Sequence, residues 1–411
     1  MGVSAESSRT EVRGLPSGWR VETLGALAEI VSGGTPRTNQ SSFWTGSIKW
    51  CTPTDITDTD GKYLTETRRS ISLDGLNSCG ATMLPVGALL LCSRATIGEI
   101  KIAGAPLCTN QGFKSLVCRP NVSNEFIYYK LLTMKQQMIS RAFGSTFLEI
   151  STRNVAGLEF AIPSLAEQRA IAAALSDVDE LLAGLDRLIA KKRDLKQAVM
   201  QQLLTGESRL AGFRGDWSST RLNRLADVLK GSALSKANIA EYGTYPCILY
   251  GELFTTYGRI ISKVVSHTSS ALGLFSKAGD VLLPGSTTTT GADLATASAL
   301  LLDEVALGGD ILVLRQRGNS YNPVFLAYLL THAKKTEIAE LTQGITIHHL
   351  YGKDLRTLQL RLPSLPEQTA IADCIADMDA ELAALAARRD KTHCLKQAMM
   401  QELLTGRTRL V

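Results

Sequence analysis

A 48-residue segment occurs twice in this chain. Pro163–Leu210 and Pro363–Leu410 lie 200 positions apart and agree at 26 of 48 residues. A chain built on such a repeat has to fold the same way twice. Each copy opens with Ser-Leu-x-Glu, Ser164 to Glu167 and Ser364 to Glu367. At that spacing the Ser hydroxyl can accept the third backbone N–H of a helix while the Glu reaches back to the cap. Each copy closes on Leu-Leu-Thr-Gly, at 203–206 and 403–406, where Gly can take the left-handed conformation that ends a helix. The stretch between these signals predicts one helix of about 38 residues, roughly 57 Å long.

The apolar spacing says what such a helix packs on. Ile171, Leu175, Val178, Leu182, Leu185 and Ile189 follow a 4-3-4-3-4 pattern, and Ile371, Ile375, Met378, Leu382 and Leu385 repeat it. This is a heptad seam, narrower than the stripe of a helix lying on a globular core. It falters at Lys192 and Thr392 and resumes at Leu195, Val199, Leu203 and at Leu395, Met399, Leu403, which predicts a local change of winding. Two seamed helices of equal length in one chain most simply pair with each other, antiparallel.

The repeat extends beyond the helices. Trp19, Leu24, Leu27 and Ala28 return as Trp217, Leu222, Leu225 and Ala226, after a linker at Ala211–Asp216. Gly144-Ser-Thr-Phe returns as Gly344-Ile-Thr-Ile, and Val155, Leu158, Phe160 and Ile162 return as Leu355, Leu358, Leu360 and Leu362. Between these ends the halves diverge almost completely. The predicted order is a tail (1–18), a globule (19–162), a long helix (163–210), a linker with a second globule (211–362) and a second long helix (363–411). Runs such as Ala88–Cys92, Lys114–Cys118, Val281–Leu283 and Ile311–Leu314 read as strands. Phe126–Met138 and Val324–Thr331 read as helices, introduced by Asn124 and by Asn322-Pro323. The fold class is α+β: two mixed α/β globules joined by two long antiparallel coiled-coil helices, with an internal pseudo-two-fold repeat.

With 45% hydrophobic and 20% charged residues among 411, the chain can bury real cores. A net charge of +5 allows nucleic acid without demanding it. No apolar run is long enough for a membrane span, and residues 1–15 do not read as a signal peptide. Eight Cys without a Cys-x-x-Cys pair read as reduced, buried thiols of a cytoplasmic protein. The search for catalysis is negative: no phosphate loop, no zinc spacing and no nuclease carboxylate set is found. Asn322-Pro-Val-Phe325 is similar to an amino-methyltransferase motif but lacks its second Pro, and is read as a helix cap.

Binding chemistry remains. Ser93, Arg94 and Thr96 lie in one Gly-bounded loop, and Asn110, Gln111 and Lys114 in another. In the second globule Ser286, Thr287, Thr288 and Thr289 occupy the place of the first loop. Arg can fork onto guanine, Asn and Gln onto adenine, and Ser or Thr onto bases or phosphates. Lys49, Trp50, Arg68, Arg69, Ser145, Thr146, Thr346, His348 and His349 complete the DNA-binding candidates. Residues 19–162 carry 14 Lys/Arg against 11 Asp/Glu, and 216–361 carry 14 against 12. Neither globule is strongly basic, so tight DNA binding is expected to need partner subunits.

From Trp19 to Leu410 the chain resembles the specificity subunit of type I restriction-modification systems. The resemblance rests chiefly on Ile162-Pro-Ser-Leu-Ala-Glu-Gln-Arg-Ala-Ile-Ala172 and Leu362-Pro-Ser-Leu-Pro-Glu-Gln-Thr-Ala-Ile-Ala372, each continuing through Leu-Lys-Gln-Ala to Leu-Leu-Thr-Gly. Ser93–Gly98 and Thr109–Lys114 look like that family's first recognition domain; Leu307-Gly-Gly-Asp310 departs from it in the second. The resemblance implies two target recognition domains, each reading half of a bipartite DNA site, with the helices fixing the spacer. It implies no catalysis and no cofactor on this chain. S-adenosylmethionine and ATP would sit on partners: two adenine methyltransferase subunits and, where present, two restriction subunits. The competing readings are a DNA-modifying enzyme fused to this frame, which would need a catalytic motif, and a protein-binding scaffold, which would show no sequence-dependent DNA binding.

Overall fold

The structure, a computed structural model, describes residues 15–144, 148–231, 234–271 and 273–410. Most of the expected tail and the candidates Ser145 and Thr146 lie outside the described residues. The chain forms two compact units, residues 1–187 with 387–411 and residues 188–386. The long helices, Leu165–Thr205 and Leu365–Leu403, each begin in one unit and end in the other.

Within the first unit Asp179 pairs with Lys396 and Asp186 with Arg389; within the second, Lys192 pairs with Glu381 and Lys196 with Asp379. One number rises as the other falls, so the helices run antiparallel. The seam differs from an even zipper. Ile171 and Leu175 are buried in the first unit's core with Leu403 and Leu404, and Ile371 and Ile375 in the second's with Leu203 and Leu204. Leu185 and Ile189 are also buried, whereas Val178, Leu182, Met378, Leu382 and Leu385 are half-buried. A pair of helices has no third helix to close its flank, so the rest of the seam stays half-covered wherever a globule does not supply one, Leu185 and Ile189 excepted. The expected change of winding leaves no break: both helices continue through Lys192 and Thr392. Lys192 reaches Glu381 at 2.8 Å, and buried Thr392 donates Oγ1 to the Arg388 carbonyl at 2.8 Å.

The helix starts also correct the sequence reading. Ser164 Oγ accepts from Glu167 N at 3.3 Å, but the Glu side chain does not return to the cap. Buried Glu167 is held by both arms of Arg409, and buried Glu367 by both arms of Arg209. An Arg fork offers two charge-assisted bonds where a cap N–H offers one, so the fork wins. Each unit is thus latched by an Arg that follows the C-terminal end of one long helix and a Glu at the N-terminal end of the other.

The two globules share one frame. In the first, a five-stranded sheet runs Ala28–Ser32, Lys114–Cys118, Leu89–Leu91, Ile100–Ala103, Tyr63–Leu64; in the second, Ala226–Lys230, Ile311–Gln316, Asp280–Pro284, Ser298–Leu300, Ile260–Ile261. In both, the first three pairings are antiparallel and the last is parallel. A strand at the start of each globule pairs antiparallel with one just before the long helix: Arg20–Thr23 with Glu159–Ile162, and Ser218–Arg221 with Gln359–Leu362. The smaller sheets differ, with three strands in the first unit and four in the second.

One helix per globule lies on its long helix. In the first it spans Asn124–Leu132, capped by Ser123 rather than Asn124. The helix expected to reach Met138 instead turns at Thr133-Met134 and restarts at Lys135. In the second it spans Pro323–Thr331, and Asn322 Oδ1 accepts from Val324 N and Phe325 N, both at 3.0 Å. Phe126 and Tyr129, like Phe325 and Tyr328, fill the core beneath these helices. Among the described residues no helix is long and apolar enough to cross a membrane. All eight Cys are free, and Cys394, expected buried, is exposed.

Candidate nucleic-acid interface

In the first unit the two loops singled out by sequence are tied by backbone bonds to each other and to the stretch at Glu149-Ile150. Ser93 N donates to the Gly112 carbonyl at 2.8 Å, and the Ser93 carbonyl accepts from Ile150 N at 2.9 Å. Arg94 bridges Glu149, which in turn bridges Phe143, so both of these residues lie beside the Ser93–Gly98 loop. Ala95, at the tip of that loop, has a φ of +63°, a conformation a non-Gly residue keeps only when its surroundings impose it.

The candidates divide into surface and support. Ser93 and Lys114 are buried; the Lys114 ammonium donates to Ser32 Oγ at 3.3 Å and lies 3.7 Å from Glu149. The Thr96 hydroxyl is turned inward. Asn110 Oδ1 accepts from Gly112 N at 2.9 Å, closing its own turn, and exposed Gln111 accepts from Thr35 Oγ1. Trp50 is a correction. It is buried, edge-on to Trp44 at 4.9 Å, with Nε1 donating to the Gly34 carbonyl at 2.9 Å. It sits on a strand of the smaller sheet at a point buried on both faces, with Trp50 packed against Ile71 and Cys108 on one side and Cys51 in a separate cluster on the other, and cannot meet DNA. Its neighbour Lys49 donates to the Thr65 carbonyl at 2.6 Å and pairs with Glu66 at 2.8 Å. Arg68 pairs with Asp58, while exposed Arg69 lies with its guanidinium 3.6 Å from the Trp44 ring centroid. Trp44 thus holds Arg69 in place, a role its lack of charge concealed in the sequence.

The second unit builds the same place more regularly. Ser286-Thr287 pair antiparallel with His348-His349, so four candidates from distant positions form one two-stranded ladder. Ser286 and Thr287 are its buried side; Ser286 Oγ donates to Asp310 Oδ2 at 3.1 Å. Thr288 and Thr289 are exposed, and Thr289 Oγ1 donates to Asp293 Oδ2 at 2.7 Å. Hydrogen bonds from Thr289 and Thr290 hold the Asp293 carboxyl below the usual carboxylate range. Gln343 and His349 exchange backbone bonds of 2.9 and 2.8 Å across the foot of a hairpin. Its turn starts at Gly344 with φ +111°, where a Cβ would stand 2.0 Å from the Ile347 carbonyl, so only Gly fits. Exposed Thr346 lies on this hairpin.

Three residues here escaped the sequence reading. Ile345, at the hairpin tip, is 96% exposed. Tyr351 stacks on His349 with 6.0 Å between centroids, and Lys353 stands 5.7 Å over the Tyr351 ring. Proximity to His349 was a usable signal for Tyr351 and Lys353. Ile345 was invisible because an apolar residue beside a turn reads as core. The surface so formed carries hydroxyls, imidazoles, an aromatic face, a cation and an apolar tip. These groups can hydrogen-bond, stack on and insert against bases.

The pattern described as the type I restriction modification DNA specificity domain matches residues 16–191 and again 214–391. The type I restriction enzyme MjaIX specificity subunit of Methanocaldococcus jannaschii is 35% identical over 179 residues, 43% of this chain and 41% of that one. The MjaVIII specificity subunit of the same organism is 21% identical over 98% of this chain and 97% of its own. Among solved structures, the S subunit of a type I system from M. genitalium has a TM-score of 0.58 at 16% identity, covering 96% of this chain and 98% of that one. A chain from work on complex assembly and conformational transition of the type I R-M system has a TM-score of 0.59 at 20% identity, covering 96% and 99%. At these identities the structures share the fold.

Proposed function

This chain belongs to the family of type I restriction-modification DNA specificity subunits, and from that premise we propose that its two globules read two different half-sites of one bipartite DNA target. The observation that carries the proposal is the contrast between frame and contents. Sheet order, strand pairing, latches and docking helices are the same in both units. The face built by Arg94, Gln111 and Glu149 in one corresponds to a face built by Thr288, Thr346, His348 and His349 in the other. A shared partner needs shared residues, while two different base sequences need different ones.

The helices would act as a ruler that sets the non-specific spacer. The chain itself would carry out no chemistry and hold no cofactor. Two adenine methyltransferase subunits, using S-adenosylmethionine, would supply catalysis, and two restriction subunits driven by ATP would join where present, all in the cytoplasm. The near balance of charge in each globule supports this division: phosphate attraction by this chain alone is modest, and the partners would contribute the rest. Mapping methylated adenines in DNA from cells carrying this chain with its methyltransferase is the test. The expected result is one asymmetric, interrupted motif with a fixed gap. Methylation without such a motif, or unchanged when this chain is deleted, overturns the reading.

A further inference from the structure

Two ties between each docking helix and its long helix are built with matching residues in the two units; in the first unit Ser176 Oγ adds bonds to Glu125 at 3.4 Å and Tyr129 at 3.3 Å. At the first point the backbone N–H before the docking helix donates to a Gln of the long helix: Ser123 N to Gln168 Oε1 and Asn322 N to Gln368 Oε1, both at 2.9 Å. Each Gln is fixed from behind, its Nε2 donating to the Pro163 carbonyl at 3.0 Å or the Pro363 carbonyl at 2.9 Å. The second point lies eleven residues further along the long helix, a rise of roughly 16 Å. There Tyr129 donates to Asp179 Oδ2 at 2.7 Å, and Tyr328 to Asp379 Oδ2 at 2.6 Å.

The other oxygen of each Asp is taken by a Lys of the opposite long helix. Lys396 reaches Asp179 Oδ1 at 2.6 Å, and Lys196 reaches Asp379 Oδ1. Each Lys also stands 5.7 Å over the ring of the Tyr that shares its Asp. One carboxylate therefore joins three elements: a globule, the helix it lies on and the helix opposite. Burial, and the Asp beside it, push both Tyr hydroxyls far above their ordinary pKa, so each remains a donor. The apolar contacts around these sites are non-directional and tolerate rotation; a charge-assisted hydrogen bond does not.

We infer that Tyr129–Asp179–Lys396 and Tyr328–Asp379–Lys196 are positioning sites that fix the angle at which each recognition domain is held on the helix pair, and so make the length of the DNA spacer a strict requirement. The inference rests on the bipartite reading above. With one tether a domain can swing about it; with two on the same helix it is held. The cross-helix Lys extends the restraint to the register of the helix pair, so a shift of one helix against the other is felt at the domain.

The test uses the full chain with its methyltransferase subunits and methylome mapping. Tyr328→Phe removes one hydroxyl without changing packing, and Lys196→Met removes the cross-helix charge. Both are expected to retain the half-site sequences. Preference for the cognate spacer over spacers one base pair longer or shorter should fall about tenfold, the scale of one lost hydrogen bond to a charged group. Lys196→Arg should restore the preference. Lys192→Met, which breaks a helix–helix pair that touches no globule, should leave it intact. If the Tyr328→Phe and Lys196→Met variants keep the wild-type spacer preference, or lose methylation evenly at every spacer, the sites are merely structural and the inference fails. A wild-type map without a fixed-gap motif would instead overturn the bipartite reading itself.

Discussion

At the scale of single residues, the exposed hairpin tip is the sharpest place to ask whether the candidate face meets DNA. Ile345 is 96% exposed on a hairpin locked by Gly344 and by the Gln343–His349 pair. An exposed side chain with so few neighbours contributes within about ±0.5 kcal/mol to folding. Ile345→Ser should therefore leave Tm unchanged while weakening binding to the second half-site by about 1–3 kcal/mol through loss of an apolar base contact. Competition binding of the assembled methyltransferase complex on sites altered in one half at a time checks this; equal weakening on unrelated DNA would assign Ile345 to another surface. The sequence located loops that the fold brings together, but not which of their side chains reach the surface. Ser93, Lys114, Ser286 and Thr287 are polar and Gly-flanked, yet they are buried, because a reading loop needs hydrogen-bonded supports of the same residue types it displays. Trp50 failed for a related cause: beside Lys49 it reads as an aromatic contact, and only partners distant in sequence, Ile71, Cys108 and the Gly34 carbonyl, show that it is buried.

At the scale of elements, the long helices were the most legible part, because caps and heptads are local signals. What was not legible is where each Glu of the opening motif goes, since its Arg partner lies 242 residues away in one unit and 158 in the other. The first helix also carries a built-in weakness. A Cβ placed on Gly184 meets nothing within 4 Å, and a helix-interior Gly costs about 0.5–1 kcal/mol relative to Ala. Gly184→Ala should thus stabilise the isolated chain by that amount, read as a higher denaturant midpoint at unchanged slope. The ruler can be tested where the chain passes between units. Seven residues inserted in heptad register after Arg187, and seven more after Ala386, preserve every latch and tether within each unit. The helices lengthen by roughly 10 Å, about three base pairs of DNA, and the mapped gap should grow by that number with both half-sites unchanged. An unchanged gap in an active variant removes the ruler.

At the scale of the whole molecule, each unit is completed by the end of the other repeat's helix. The first uses Lys396, Leu403, Leu404 and Arg409, and the matching positions in the first repeat are Lys196, Leu203, Leu204 and Arg209. A fragment of residues 1–210 carries all four replacements. Two copies can therefore complete each other, and the closed dimer must be two-fold symmetric. With methyltransferase present, such a dimer should methylate an interrupted palindrome of the first half-site. A stable folded monomer by sedimentation, or methylation of the original asymmetric motif, would refute both the pairing and the division of labour.

The doubled frame has a consequence for inheritance. The latches sit at the ends of the long helices and the tethers on the docking helices, so a globule that keeps its own docking helix can be exchanged as a cassette without redesigning an anchoring contact. Recombination at the repeated edges can then place any cassette in either slot. Because the two slots are related by the pseudo-two-fold repeat, swapping a pair only reads the same duplex from the other strand, so a population that holds n cassettes has n(n + 1)/2 addresses available to it, and it changes its address by shuffling rather than by mutation.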